Sequence, residues 1–290
     1  MTENAAAPPS ARETELATHY ALCEAALREK DRDLWLAALY APEPRRKHLH
    51  ALGAFAREIS EIPGKVTQPL LGEMRLRWWA DAIETPAAEG GARAHPIADA
   101  LLDTISTCGL EPKGFADFLD AHVVDFYDDP QPDSASLLAY CDETNAAWLR
   151  WSAKVLGASG DHAALREGGA AQGLVGVLRR LPFGSGKFLP EDLLARCGVS
   201  RQDVAARADT PALRAAVSEL RRLALARFDA ARSLARDADE ATRIALLPLA
   251  NLPLHLERIA ARDYGPFRAY EEPSALSRQW RLWRAARRGI

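Results

Sequence analysis

The chain has 290 residues, 48% of them hydrophobic and 27% charged, with a formal charge of −3. That is enough apolar material for a large core, in one big domain or two ordinary ones, and it excludes a disordered or collagen-like chain. The near-neutral balance gives no electrostatic case for nucleic acid as the main partner, and no run of about 18 apolar residues offers a membrane span.

In chain order, the opening MTENAAAPPSARETE lacks the apolar h-region of a signal peptide, and residues 1–12 read as a flexible tail. Residues 13–290 read as a single helical domain. Leu52, Phe55, Ile59 and Ile62 repeat at helical spacing and predict one buried stripe. The segment TPAAEGGARAHP, residues 85–96, reads as a second flexible connection. Phe115, Phe118, Leu119 and His122 make the next stripe, and Leu137, Tyr140, Cys141, Thr144 and Trp148 the one after it. Leu174, Val177, Leu178 and Leu181 stand at i, i+3, i+4 and i+7, and their helix closes on Arg179 and Arg180 just before Pro182. The run LRAAVSELRRLALARFDAARSLARDA predicts a long amphipathic helix. Prolines punctuate these runs, and no stretch alternates as a strand would. The expectation is all-α: roughly ten helices in one bundle.

Several motifs invite chemistry and are weighed against plainer readings. Cys23, Cys108, Cys141 and Cys197 are far apart and form no CxxC pair, which reads as reduced thiols in a cytoplasmic protein. His48 and His50 are two residues apart on a helix and point to different sides, so they are not a metal pair. The GSGK at Gly184–Lys187 fails as a phosphate loop. Its first glycine would fall on Leu181, and Phe188 stands where a Ser or Thr must hold magnesium. DFYDDP sets Asp125, Asp128 and Asp129 at magnesium-site spacing, but it reads better as a solvated acidic helix end before Pro130. Glu58 and Glu61 flank an apolar stripe, as either a solvated edge or a ligand site. The C-terminal LSRQWRLWRAARRGI is basic and amphipathic. It can lie on an anionic membrane surface, or pack its tryptophans on the bundle and solvate its arginines.

Four segments then line up in order: DRDLWLAALYAPEPRRKHLHALGAFAREI, EMRLRWWADAIE, YCDETNAAWLRWSAKVLG and KFLPEDLLARCGVS. Together they resemble the squalene/phytoene synthase family, from about residue 16 to the C-terminus. The resemblance implies an isoprenoid-synthase-like helical bundle around a central cavity. In active members two facing helices carry aspartate-rich motifs whose magnesium ions grip two prenyl diphosphates. Metal neutralises the departing diphosphate, and a dry pocket shelters the carbocation.

On that resemblance, Phe55-Ala56-Arg57 opens the first motif. Arg57 keeps the family's arginine and Glu61 meets an acidic position, but the expected aspartates fall on Ser60 and Gly64. The second motif reads Asn-Ile-Leu-Arg-Asp in active members, with an Asp four residues later. Here it reads Gly176-Val177-Leu178-Arg179-Arg180, and the later position is Gly184. Arg180 therefore stands where a metal-binding carboxylate is expected. Two unit charges about 4 Å apart at an effective dielectric near 20 interact by about 4 kcal/mol, and a divalent ion doubles that. Even halved for solvent and flexibility, the sign change amounts to several factors of ten in metal affinity, so the expectation is that ordinary magnesium-dependent prenyl coupling is lost.

The resemblance thus implies a degenerate diphosphate cavity lined by Arg57, Glu58, Ser60, Glu61, Tyr140, Asn145, Gln172, Gly176, Arg180 and Gly184, with no catalytic residue, no metal ligand and no cofactor. LGEMRLRWWADAIE and QWRLWRAARRG are more like the branch containing respiratory complex I assembly factors than like carotenoid enzymes. The expected role is assembly-factor-like, or binding of a lipid or prenyl diphosphate. The expected partners are a respiratory-complex subunit or assembly intermediate, an isoprenoid or lipid ligand, and the inner face of a membrane through the C-terminal helix. The alternative is a magnesium-dependent prenyl transferase whose site is rebuilt from Glu58, Glu61, Asp125 and Asp128. Arg57 and Arg180 either contact phosphate or form salt bridges, Arg180 with Glu58 or Glu61 across the cavity.

Overall fold

A computed structural model describes residues 10–84 and 95–290. α1 (Ala11–Lys30) begins in a capping box, with Ser10 accepting from Glu13 N and Glu13 returning the bond. Residues 10–12 of the expected tail are therefore helix start, while 1–9 lie outside the described residues. α2 (Arg32–Ala38) and α3 (Glu43–Lys65) follow, then α4 (Pro69–Glu84). The second expected connection falls mostly on 85–94, also outside the described residues. Its last two residues open α5 (Pro96–Cys108): the His95 ring nitrogen accepts from Ala98 N at 3.3 Å, and Pro96 takes the first turn.

α6 (Pro112–Ala121) runs into a 3-10 turn, His122–Phe126. α7 (Ser134–Cys141) and α8 (Ala147–Leu156) are one rod interrupted by a π-turn, Asp142–Ala146. α9 (Ala163–Arg180) ends where a 3-10 turn, Leu181–Phe183, takes over with Pro182 in its first positions. The remainder is α10 (Glu191–Cys197), α11 (Arg201–Ala205), the long α12 (Pro211–Leu234), α13 (Glu240–Ala245), α14 (Leu252–Ile259) and α15 (Ala275–Arg288). The fold is all-α, with fifteen α-helices and no strand among the described residues rather than roughly ten helices. The surplus comes from short helices such as α10, bounded by Pro190 and Gly198, and α13, which the Asp239 side chain caps at its start.

The apolar stripes meet as their spacing requires. Phe55 of α3 touches Trp79 of α4 and Phe115 and Phe118 of α6 at ring distances of 5.1, 5.8 and 5.5 Å, and Phe115 stacks on Trp151 of α8 at 3.9 Å. Leu174, Val177, Leu178 and Leu181 are all buried. Lys187 of the GSGK stretch bonds the carbonyls of Val124 and Asp125, at 3.1 and 2.8 Å, and so caps the 3-10 turn. His48 and His50 are both buried but part company: His48 joins Tyr20 and Thr104 at 3.0 Å, whereas His50 lies 4.0 Å from Glu24.

One close approach places the functional region. α9 presses against the π-turn through glycine: a Cβ on Gly169 would lie 2.4 Å from Ala146 Cα and N, and one on Gly173 would lie 2.4 Å from Cys141 Sγ. Backbone atoms cannot swing aside as a side-chain tip can. Gly169→Ala should therefore destabilise the fold by about 2–3 kcal/mol, as overpacking does, read as a lower urea midpoint at unchanged slope. An unchanged midpoint would mean that the contact is loose.

Candidate functional site

α2, α3, the π-turn, α9, α14 and the stretch leading to α15 enclose a cavity of about 710 Å³. On α3 the residues facing it are Gly53, Ala56, Arg57 and Ser60, spaced i, i+3, i+4 and i+7. The π-turn presents Thr144 and Asn145, and α9 presents Gln172, Val175, Gly176, Arg179 and Arg180. Seven of the ten residues implied by the resemblance line the cavity: Arg57, Ser60, Tyr140, Asn145, Gln172, Gly176 and Arg180.

Glu58, Glu61 and Gly184 are not part of that lining. Each glutamate follows a cavity-facing residue and is turned about 100° away from it. Glu61 pairs with Lys30, which itself reaches the wall, at 2.7 Å and with Lys65 at 3.1 Å, and Glu58 lies 3.4 Å from Lys65. Burial pushes the Glu61 carboxyl up, but these lysines outweigh it and hold its pKa below the usual range. Gly184 lies past the end of α9 with φ of 100°, a left-handed conformation that an aspartate adopts only at a cost.

The arginines are sorted by partner. Arg57 reaches Glu61 at 3.4 Å, whereas its Nε is buried with no hydrogen-bond partner. Arg179 forms an ion pair with Glu272 and lies over the Tyr270 ring at 5.5 Å. Arg180 does not bridge the cavity to Glu58 or Glu61, because those carboxylates point away. Its Nε donates to Gly176 O at 3.2 Å, and it has no carboxylate partner among the described residues.

Asp125 departs from the expected solvated helix end. Asp128 and Asp129 are exposed, but Asp125 turns into the cavity wall. There it accepts from the Tyr140 hydroxyl at 2.9 Å and lies 2.7 Å from His122 Nδ1. Burial, and then the Asp125 charge, push the Tyr140 hydroxyl well above its ordinary pKa.

Other wall residues carried no motif. Asp33 accepts from Arg278 at 2.8 Å and from Asn251 at 3.1 Å, while His255 Nδ1 and the Tyr270 hydroxyl stand 2.9 Å apart. Asp31, also on the wall, is occupied as the cap of α2, accepting from Leu34 N at 3.1 Å. The available signal was a lone Asn251 and a lone His255 inside the apolar run after Ile244.

Six cationic side chains and four carboxylates line the cavity, and each of those carboxylates is already engaged. Buried polar atoms without a hydrogen-bond partner concentrate here: Arg57 Nε, Trp148 Nε1, Gln172 Oε1, Arg179 Nε, Asn251 Oδ1 and Arg278 Nε. Proteins rarely leave such atoms unpaired, and their concentration in residues of this wall sets it apart from the rest of the described structure. The donor set does not fit magnesium. Among the described residues no three His, Cys, Asp or Glu side chains are grouped to hold a metal ion, and magnesium in such sites needs several converging oxygens.

The squalene/phytoene synthase family model matches residues 27–284. The chain is 27% identical over 251 residues to NADH dehydrogenase (ubiquinone) complex I, assembly factor 6 of Mus musculus, covering 84% of this chain and 75% of that one. It is 29% identical over 197 residues to the presqualene diphosphate synthase of Rhodopseudomonas palustris, covering 66% and 69%. The solved squalene synthase HpnC of Alicyclobacillus acidocaldarius superposes with a TM-score of 0.70 at 21% identity, over 88% of this chain and 97% of that one, a likeness of fold.

His255 supplies a pH test. Burial, with the charges of Arg179 and Arg278, pushes its pKa from 6.5 down to about 3. The folded ring stays neutral where the unfolded ring binds a proton. The stability it contributes is whole above pH 6.5 and is lost as the pH falls toward 3. His255→Gln should flatten the decline of the thermal midpoint between about pH 7 and about pH 5. A variant as steep as the native chain would show that another group sets that slope.

Proposed function

The chain belongs to the squalene/phytoene synthase family, and from that premise we propose that it is a member without prenyl-coupling chemistry, which binds an anionic isoprenoid or lipid in its cavity and serves in respiratory-complex assembly. The observation that carries this reading is Arg180, a cation with no carboxylate partner among the described residues, on the wall where the family's second motif would bring a metal-binding carboxylate. Ser60, which faces the same cavity from α3, supplies no charge to offset it.

The cavity suits a ligand with a charged head and an apolar tail. Arg57 and Arg180 offer planar forks that match phosphate oxygens in pairs. Leu34, Ala56, Phe118, Trp148, Val175 and Leu252 supply apolar wall for a hydrocarbon chain. The volume lies in the ordinary range for small-molecule sites. The assembly role is supported by the likeness to a relative whose name carries that role. A rebuilt magnesium site would need Glu58, Glu61, Asp125 and Asp128 to converge, and of these only Asp125 lies on the wall.

Titration calorimetry with farnesyl diphosphate should show binding in the absence of magnesium, and Arg57→Ala and Arg180→Ala should each weaken it about tenfold. Incubation of the labelled diphosphate with magnesium should yield no coupled product, whereas affinity capture from membranes should retain a respiratory-complex subunit. Coupled product from the purified native chain would overturn the non-catalytic reading. The absence of any heat with or without magnesium would overturn the ligand.

A further inference from the structure

α15 has two opposed faces. Arg278, Leu282 and Ala285, at i, i+4 and i+7, turn inward. Arg278 reaches Asp33 at 2.8 Å, and Leu282 and Ala285 pack with Ala37, Leu247 and Ala250. Leu276, Trp280, Trp283 and Arg287, at i, i+4, i+7 and i+11, fall on the opposite side. Leu276 is 80% exposed, Trp280 60% and Trp283 37%. The two indoles stack at 4.8 Å, and the Arg287 guanidinium lies over Trp283 at 4.2 Å. Of the two sequence readings of this helix, the one that packs the tryptophans on the bundle is thus contradicted. The long side chain that goes inward is an arginine, held there by a carboxylate.

The charge on this helix is one-signed. Ala275–Arg288 contains five arginines and no acid. Arg278 is matched by Asp33, and Arg281 lies 3.7 Å from Glu257. Arg284, Arg287 and Arg288 are exposed and have no carboxylate partner among the described residues. No helix among the described residues is long and apolar enough to cross a membrane, so any membrane contact made by α15 lies along the surface.

We propose that the outer face of α15 docks the protein on an anionic lipid bilayer. Leu276, Trp280 and Trp283 enter the interfacial layer, and Arg284, Arg287 and Arg288 meet the headgroups. Charge decides the occupant. A second copy of this chain would bring three unmatched arginines against three more, which like-charge repulsion opposes. An anionic bilayer offers the reverse: negative charge at the surface, and beneath it a layer where tryptophan is favoured because its ring is apolar and its N–H polar. Leu282 and Ala285 keep the helix on the bundle while its other side is covered, so docking does not require the helix to leave the fold. The inference does not depend on what the cavity holds.

The full chain should co-sediment with phosphatidylcholine vesicles containing about 30% phosphatidylglycerol, should not do so with phosphatidylcholine alone, and should be released by salt. Trp280→Ser with Trp283→Ser, and separately Arg284→Gln with Arg287→Gln and Arg288→Gln, should each lower retention at least about tenfold. The thermal midpoint and farnesyl diphosphate binding should be unchanged in both. The arginine variant alters only exposed side chains, so it stays informative even if the tryptophan variant folds poorly. Failure of the native chain to bind anionic vesicles, equal binding by both variants, or equal binding to neutral vesicles would overturn the proposal. So would a native dimer that the tryptophan variant converts to monomer without any vesicle binding, because the stripe would then belong to a second copy.

Discussion

The constraint at this cavity is charge: six cationic side chains line its wall against four carboxylates. Arg180 leaves the last turn of α9 with a single hydrogen bond, to the carbonyl of Gly176 one turn earlier. The wall carboxylates are spoken for: Asp33 by Arg278 and Asn251, Asp125 by Tyr140 and His122, Glu272 by Arg179, and Asp31 by the amide it caps. Arg180 faces the same wall without a carboxylate partner among the described residues, and a charge of that sign favours an anionic group over a divalent cation beside it.

That charge pattern rests on packing. Along α9, Gly169, Gly173, Gly176 and Arg180 stand at i, i+4, i+7 and i+11 on one face: the first two press onto the π-turn and its flank, and the last two carry the same stripe on into the cavity wall, with Gln172 and Arg179 beside them. The π-turn in turn presents Thr144 and Asn145 beside them. Interrupted helices of this kind often occur at functional sites, since the extra residue re-aims side chains that a regular helix would direct elsewhere. A methyl group on Gly169 would part the two elements and change where Arg180 stands.

The helical stripes could be read from the sequence because burial imposes a period on apolar residues, as Leu52, Phe55, Ile59 and Ile62 show. The facing residues Arg57, Ser60, Gly176 and Arg180 were found by likeness of motif. Three further residues that the motif count named, Glu58, Glu61 and Gly184, do not line the cavity: each glutamate is turned about 100° from a facing neighbour, and Gly184 lies past Pro182 in a left-handed turn. Asp125 was misread because its neighbours Asp128 and Asp129 are solvated; nothing local shows that one of three aspartates meets the half-buried Tyr140. Asp33 and Arg278, separated by 245 residues, meet only through the tertiary fold, which no local period encodes.

The stretch between α14 and α15 shows how the cavity and the outer surface are joined. It has no helix of its own and is fastened by guanidinium groups from elsewhere. Arg207 donates to Pro182 O and Phe267 O at 3.0 Å, Arg214 to Tyr264 O at 2.8 Å, Arg258 pairs with Glu271 at 2.9 Å, and Arg179 pairs with Glu272. Tyr270 and Glu272 of this stretch are cavity wall, and so is Arg278, one turn into α15, whose opposite side carries the exposed tryptophans. Cavity wall and outer face are thus nearly consecutive in the chain, connected by ion pairs rather than by a thick layer of core. Any displacement of α15 has to be accommodated at Arg278–Asp33, and therefore inside the cavity. Interactions between charged groups tolerate such shifts better than interlocked apolar packing, because Coulomb energy falls slowly with distance while a packed contact is lost within an ångström.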